Sequence, residues 1–173
     1  MTVKEVFIFS VALLLSGCVT PQVTQPSGDP VDLRGFQKIE LIVTDSVNTA
    51  YSKNGLPMFA GLLRGRLQSI GYALVDTAPQ MILEVSVHEF DPGNRPLRTL
   101  IGFGAGRAVL KYTARFKTPM GKLLAELEGG KAYHGLELVD NPTFKSDEAT
   151  RMGLIAYSVS QIGEFIEKNG TRE

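Results

Sequence analysis

The sequence predicts an α+β domain, in which a mainly antiparallel four- to five-stranded sheet carries two helices packed on one face. Three observations carry that expectation. Three segments between residues 80 and 133 alternate apolar and polar side chains with period two, the pattern of strands covered on one face. Two other segments, one ending near Gly71 and one starting near Ser146, repeat apolar residues at helical spacing. The elements then follow in the order β-α-(β)-β-β-β-α, with no internal repeat. A length of 173 residues and a hydrophobic content of 43% suit a single domain with a worthwhile core.

In chain order, Phe36–Thr44 alternates, with Ile39, Leu41 and Val43 on one side and Lys38, Glu40 and Thr44 on the other, so it reads as a half-buried strand. Asp45–Gly55 is polar and reads as a loop. Pro57–Ile70 reads as a helix: Pro57 suits the first helical position, Phe59, Leu62, Leu63, Leu67 and Ile70 form its apolar stripe, and Gly71 stops it. Tyr72–Val75 is a short strand or exit segment. Gln80–Phe90 places Met81, Leu83, Val85 and Val87 inward, with Glu84, Ser86 and His88 outward. Arg107–Lys117 turns Ala108, Leu110, Tyr112, Ala114 and Phe116 inward and Arg107, Lys111, Arg115 and Lys117 outward. Lys122–Tyr133 turns Leu123, Ala125, Leu127 and Tyr133 inward and Glu126 and Glu128 outward. Thr118–Gly121 between the last two reads as a hairpin turn. The final helix starts after Ser146, an N-cap, with Asp147 and Glu148 near its positive end. Met152, Ile155, Ala156, Val159, Ile162 and Ile166 form its stripe, and Lys168-Asn169-Gly170 ends it.

Charge excludes one class of function. The 18 basic and 18 acidic side chains cancel, so no broad positive field is available to grip nucleic acid. If the three alternating strands are neighbours, their outward charges run acidic, basic, acidic and pair across strands at about 0.2–1 kcal/mol each. The single cysteine excludes an internal disulfide and any zinc site with two Cys ligands from one chain.

That cysteine stands at the end of the amino-terminal leader. Lys4 and Glu5 precede an apolar run, Val6–Leu15, broken only by Ser10 and followed by Ser16-Gly17-Cys18. The run is too short to cross a bilayer, which takes about 20 residues, and has the proportions of a secretory signal peptide. Leu15-Ser16-Gly17-Cys18 resembles the lipobox of bacterial lipoproteins. The resemblance implies cleavage after residue 17, lipidation of the Cys18 thiol and acylation of the new amino terminus. Several acyl chains at about 0.8 kcal/mol per buried CH₂ anchor a protein durably without spanning the membrane. Residue 19 is Val, not the Asp that marks inner-membrane retention in enterobacterial lipoproteins, so the expected address is the outer membrane, facing the periplasm. The expected organisation is therefore residues 1–17 as leader, 18–35 as lipidated Cys18 and flexible tether, 36–168 as the domain and 169–173 as a tail. A tether of about 16 residues has a mean reach of about 20–25 Å and a limit near 55 Å.

Chemical signatures are sparse. Gly102, Gly104 and Gly106 form a glycine-rich segment, but a strand and not a helix follows it, and the spacing is neither a dinucleotide fingerprint nor a Walker loop. Just before it, the Asp91–Phe103 loop is long for a hairpin connection. It mixes Arg95 and Arg98 with Leu97, Leu100, Ile101 and Phe103, a combination suited to docking on a partner or an anionic surface, or to folding back over the sheet edge. The two histidines, His88 and His134, show no metal-ligand spacing. No nucleophile elbow is present, and Ser46, Ser52, Ser69, Ser158 and Ser160 lack a recognisable base. Neither a catalytic residue nor a metal or other cofactor is expected.

Together, the Leu15–Cys18 lipobox, the GFGAGRA run at 102–108, the strand Val109–Lys117 and Gly121-Lys122-Leu123-Leu124 resemble a bacterial lipoprotein family known only as a domain of unknown function. The resemblance spans roughly residues 36–166. It implies an envelope location and supplies no catalytic residues. The function expected is a membrane-anchored, non-enzymatic accessory module that binds an envelope protein or itself. A second reading is a small-ligand or polysaccharide site on the sheet face of Glu84, His88, Lys111, Arg115 and Glu126. A third is a hydrolase built on His88 or His134.

Overall fold

The structure, a computed structural model, describes residues 22–24, 30–47, 49–93, 107–133 and 146–170. Its elements are β1 (Gln22–Thr24), β2 (Lys38–Asp45), α1 (Ala50–Ser69), β3 (Ala73–Leu74), β4 (Met81–Asp91), β5 (Ala108–Lys117), β6 (Leu123–Tyr133) and α2 (Asp147–Gly170). The strands form one sheet in the order β1-β6-β5-β4-β2-β3.

The α+β expectation holds, with a mixed sheet. β4, β5 and β6 are antiparallel neighbours, and β1 adds antiparallel to β6. β2 runs parallel to both β4 and β3. The reason is the crossover: α1 carries the chain back to the starting end of β2, so the strands that follow run the same way. The β5–β6 connection is the expected tight turn. Thr118 N donates to Lys122 O at 2.9 Å, Gly121 N donates to Thr118 O at 2.9 Å, and Gly121 takes a φ of 83° that disfavours a side chain.

One face of the sheet is the core. Met81, Leu83, Val85 and Val87 of β4, Ala108, Leu110, Tyr112, Ala114 and Phe116 of β5, and Ala125 and Leu127 of β6 are all buried. Phe59, Leu63 and Leu67 of α1 and Leu154, Ile155, Ile162 and Ile166 of α2 close over them. Each fully buried Leu, Ile or Phe contributes about 1.5–3 kcal/mol relative to exposure. The helices also touch each other, where Arg66 Nη2 donates to Glu167 Oε2 at 2.7 Å.

Four expectations are corrected. α1 begins at Ala50, well before Pro57, and Pro57 lies inside it. The stretch that reads as a loop is helical and packs on the sheet, where Gly55 lies so close to the Phe90 ring that an added Cβ would be 2.0 Å from Phe90 Cε1. In α2, Ser146 is the cap as expected, its Oγ accepting from Ala149 N at 3.0 Å. Met152 and Ala156, however, are exposed, because the buried stripe runs through Thr150, Leu154, Ser158 and Gln161 beside Ile155, Val159, Ile162 and Ile166. Part of the expected tether is folded: Gln22–Thr24 pairs with β6, and Leu33 is fully buried with its N–H donating to Asn169 O at 2.8 Å. Asn169 and Gly170, assigned to the tail, belong to α2, and a Cβ on Gly170 would be 2.2 Å from the Tyr72 hydroxyl.

Candidate functional site

The outer face of the central strands gathers most of the polar side chains singled out in the sequence. Register places them in rows. Glu84, Arg115, Glu126 and Thr24 form one row across β4, β5, β6 and β1, and Ser86, Thr113, Glu128 and Gln22 form the next. The expected charge pairing is present. Arg115 Nε bonds Glu126, Lys117 Nζ bonds Glu84, and Lys111 Nζ reaches Glu89 Oε2 at 2.6 Å. Arg107 Nη2 joins Glu89 from the other side at 3.3 Å. The hydrogen bond from Lys111 foremost, opposed by partial desolvation, holds the Glu89 carboxyl below its usual range.

His88 is set apart from these rows by a β-bulge. The register with β5 slips between Val87 and Glu89, leaving His88 as the extra residue. The slip turns Phe90 inward, where it is buried, although its position in the alternation would face it outward. His88 Nε2 lies 2.7 Å from Thr113 Oγ1, and Nδ1 lies 3.3 Å from Ser46 Oγ. Ser46 Oγ also donates to Val87 O at 2.8 Å. The imidazole thus bridges the hydroxyls of Ser46 and Thr113. The absence of a base near Ser46, expected from the sequence, is thus corrected, since the fold brings the imidazole to it. The arrangement ties the end of β2 to the bulge.

Beside this cluster lies a cavity of about 400 Å³, lined by Gln22, His88, Lys111, Tyr112, Thr113, Glu128 and Gly129. Its relief comes from β6, where Gly129 and Gly130 follow Glu128 and bring no side chains. Both glycines are required by space. A Cβ on Gly129 would be 2.6 Å from the Tyr112 hydroxyl, and one on Gly130 would be 2.1 Å from Leu110 O. From the core side, Gln161 Oε1 accepts from Gly130 N at 3.1 Å and from the Tyr112 hydroxyl at 3.2 Å. Burial, with Tyr157 and Glu164 adding to it, pushes the Tyr112 phenol well above its ordinary value, so it stays a neutral donor. Among the described residues Glu84, Glu89 and Glu126 are held in ion pairs, whereas none is formed by Glu128. The cavity therefore offers the Glu128 carboxylate and the Gln22 amide, with the Lys111 ammonium held by Glu89 and the His88 ring held by two hydroxyls in its wall.

Of the ligand face expected from the sequence, His88 and Lys111 line this cavity, Lys111 while paired with Glu89, whereas Glu84, Arg115 and Glu126 do not line it. Thr113 and Gln22 in its lining, and Ser46 behind His88, were not legible in the sequence. One signal for the bulge was present: apolar residues at odd positions through Val87 and then an apolar Phe90. Cys18, the loop residues Arg95, Leu97, Arg98, Leu100, Ile101 and Phe103, the glycines Gly102, Gly104 and Gly106, and His134 lie outside the described residues. Among the described residues no three His, Cys, Asp or Glu side chains converge as a metal site requires, and no helix is long and apolar enough to cross a membrane.

Residues 49–135, half of the chain, match the family described as Domain of unknown function (DUF4410). The chain belongs to that family. The match runs from the start of α1 to the end of β6, inside the span over which the sequence resembled such a family. No curated protein matches it. Among solved structures, a PelC dodecamer from Paraburkholderia phytofirmans is similar over 89% of this chain and 100% of its own, with 15% identity and a TM-score of 0.55. A point variant of the same PelC gives 14% identity and the same coverage and TM-score. At that identity the likeness is one of fold. A minor lipoprotein from Acinetobacter baumannii matches more loosely, with 17% identity, 78% and 92% of the two chains covered and a TM-score of 0.42, and adds nothing to the fold assignment.

Proposed function

We propose that this DUF4410 member is a lipid-anchored accessory module of the bacterial envelope, held in the outer membrane through Cys18, without a catalytic role of its own and without affinity for nucleic acid. The observation that carries the reading is the placement of the sole cysteine directly after Leu15-Ser16-Gly17. The domain then serves by contact, with another envelope protein or with copies of itself. Self-association is supported by the fold shared with PelC, which crystallised as a dodecamer. The β4–β5 connection, with Arg95, Leu97, Arg98, Leu100, Ile101 and Phe103, supplies an amphiphilic contact surface.

Cys18→Ser is expected to move the protein from the carbonate-washed membrane fraction to the soluble periplasmic fraction. If it stays with the membrane, the anchor reading fails. Replacing the six loop residues by Ala is expected to abolish in vivo crosslinks to partners or between copies, and an unchanged crosslink pattern removes the loop from the proposal. The cavity around Thr113 and Glu128 supports a second reading, binding of a small polar ligand or a polysaccharide unit. A thermal-shift screen of residues 19–173 against envelope sugars tests it, with Glu128→Gln expected to remove any shift. Silence across the panel counts against it.

A further inference from the structure

We propose that β1 is a strap that seats the β1–β6 edge of the sheet against the lipid bilayer, holding the outer-face cavity close to the headgroups. The inference rests on the lipid anchor at Cys18 and goes beyond it, because an anchor alone sets neither height nor orientation. A free tether of residues 19–34 would let the domain float and tumble. The structure shortens it. Gln22 pairs with Glu128, Val23 with Leu127 and Thr24 with Glu126. Only Val19, Thr20 and Pro21 then lie between Cys18 and the sheet. Four backbone steps at about 3.3–3.6 Å each span at most about 14 Å. Without the β1 pairing, the first fixed point after Cys18 is the buried Leu33, and the limit grows to about 54 Å.

Orientation follows from strand order. β1 is one edge of the sheet and β3 the other, five strand spacings away. At about 4.8 Å per spacing, the far edge lies about 24 Å from the strap. A lipid attached next to β1 therefore holds the β1–β6 edge down and the β2–β3 edge outward. Gln22 is both a strap residue and a wall of the cavity, so docking of β1 completes the cavity and brings it to the membrane in one step. Chain length, not charge, does the holding: the residues of β6 opposite β1 include Glu126 and Glu128 and no Lys or Arg. The surface faced is accordingly a zwitterionic one, and the seating is insensitive to salt and to added anionic lipid.

The test uses the full lipidated chain in phosphatidylcholine vesicles carrying an acceptor dye on the headgroup. A donor dye is placed through Met120→Cys, a position 97% exposed at the β5–β6 turn, since the lipidated Cys18 thiol is not free to react. Gln22→Pro/Val23→Pro releases the strap, because successive N–H groups of a strand point to opposite sides and one of the two must leave the ladder. Gln22→Cys/Glu128→Cys, oxidised, locks it. Energy transfer is expected to be equal in the parent and the lock and at least twofold lower in the release variant, with the near-ultraviolet circular dichroism of all three alike. Transfer in the parent equal to that of the release variant, while the lock differs, overturns the strap. If the parent does not float with the vesicles, the anchor reading falls and takes the strap with it.

Discussion

The two faces of the three central strands are built on opposite principles. On the inner face, side chains are placed by shape. Phe116 lies 5.1 Å from Phe165 and Tyr112 6.3 Å from Phe59, centroid to centroid, and Gly129 and Gly130 leave room where no methyl group fits. On the outer face, side chains are placed by charge, each cation beside a carboxylate and all of them in reach of water. The difference teaches where change is tolerated. Packing in a dense interior is felt atom by atom, whereas ion pairs in a high-dielectric surface layer contribute little each. The cavity lies where the two meet, beside Gly129, which packing requires, and Glu128, which forms no ion pair among the described residues.

The largest effect that would sharpen this contrast comes from the inner face. Phe116→Ala is expected to lower stability by about 3–5 kcal/mol in urea unfolding of the 19–173 domain, through lost burial plus the cavity left behind. A loss below 1 kcal/mol would mean that the core relaxes freely and would break the contrast. Next, Gly129→Ala is expected to lower stability by about 1–3 kcal/mol, as its methyl displaces the Tyr112 hydroxyl from Gln161. Thr113→Val follows, with a loss of about 0.5–1.5 kcal/mol, because the hydroxyl bonded to His88 is removed from a site that is itself 5% exposed. Arg115→Ala is the smallest, about 0–1 kcal/mol and diminished by added salt.

The faces also separate by pH. The Tyr112 phenol has a folded value raised by burial, so its contribution is complete below about pH 10 and is lost as pH rises above that. Glu89 has a folded value lowered by Lys111, so its contribution is present above the ordinary carboxylate range and is lost as pH falls through it. Stability–pH curves are expected to show Tyr112→Phe flattening the alkaline limb alone, with Tyr72, also raised by burial, contributing to what is left of it, and Glu89→Gln flattening the acid limb slightly. An alkaline limb unchanged by Tyr112→Phe would show that the phenol ionises in the folded state as it does in water.

Much of the fold was legible because period-two and helical patterns report burial directly. The inward residues of β4 and β5 are those the alternation names, up to Val87. Beyond it the bulge at His88 breaks the count, and only the partner strand reveals that Phe90 turns inward. Helix α1 shows the same limit from the other side. Asp45–Gly55 has the composition of a loop and Pro57 that of a helix start, yet the helix extends back to Ala50 and its Gly55 meets Phe90, a residue far away in sequence.

By itself the sequence determined the α+β class, the antiparallel core of three strands, the charge stripes, the helix cap at Ser146 and the position of the sole cysteine. All of these are local or periodic, written in neighbours a few residues apart. The tertiary structure decided the parallel placement of β2, the meeting of Ser46, His88 and Thr113, the cavity beside Glu128 and the capture of Gln22–Thr24 by β6. Each of these depends on two segments distant in sequence coming to lie within hydrogen-bonding range. Such contacts carry no period of their own, and their free energy exists only once the sheet has formed.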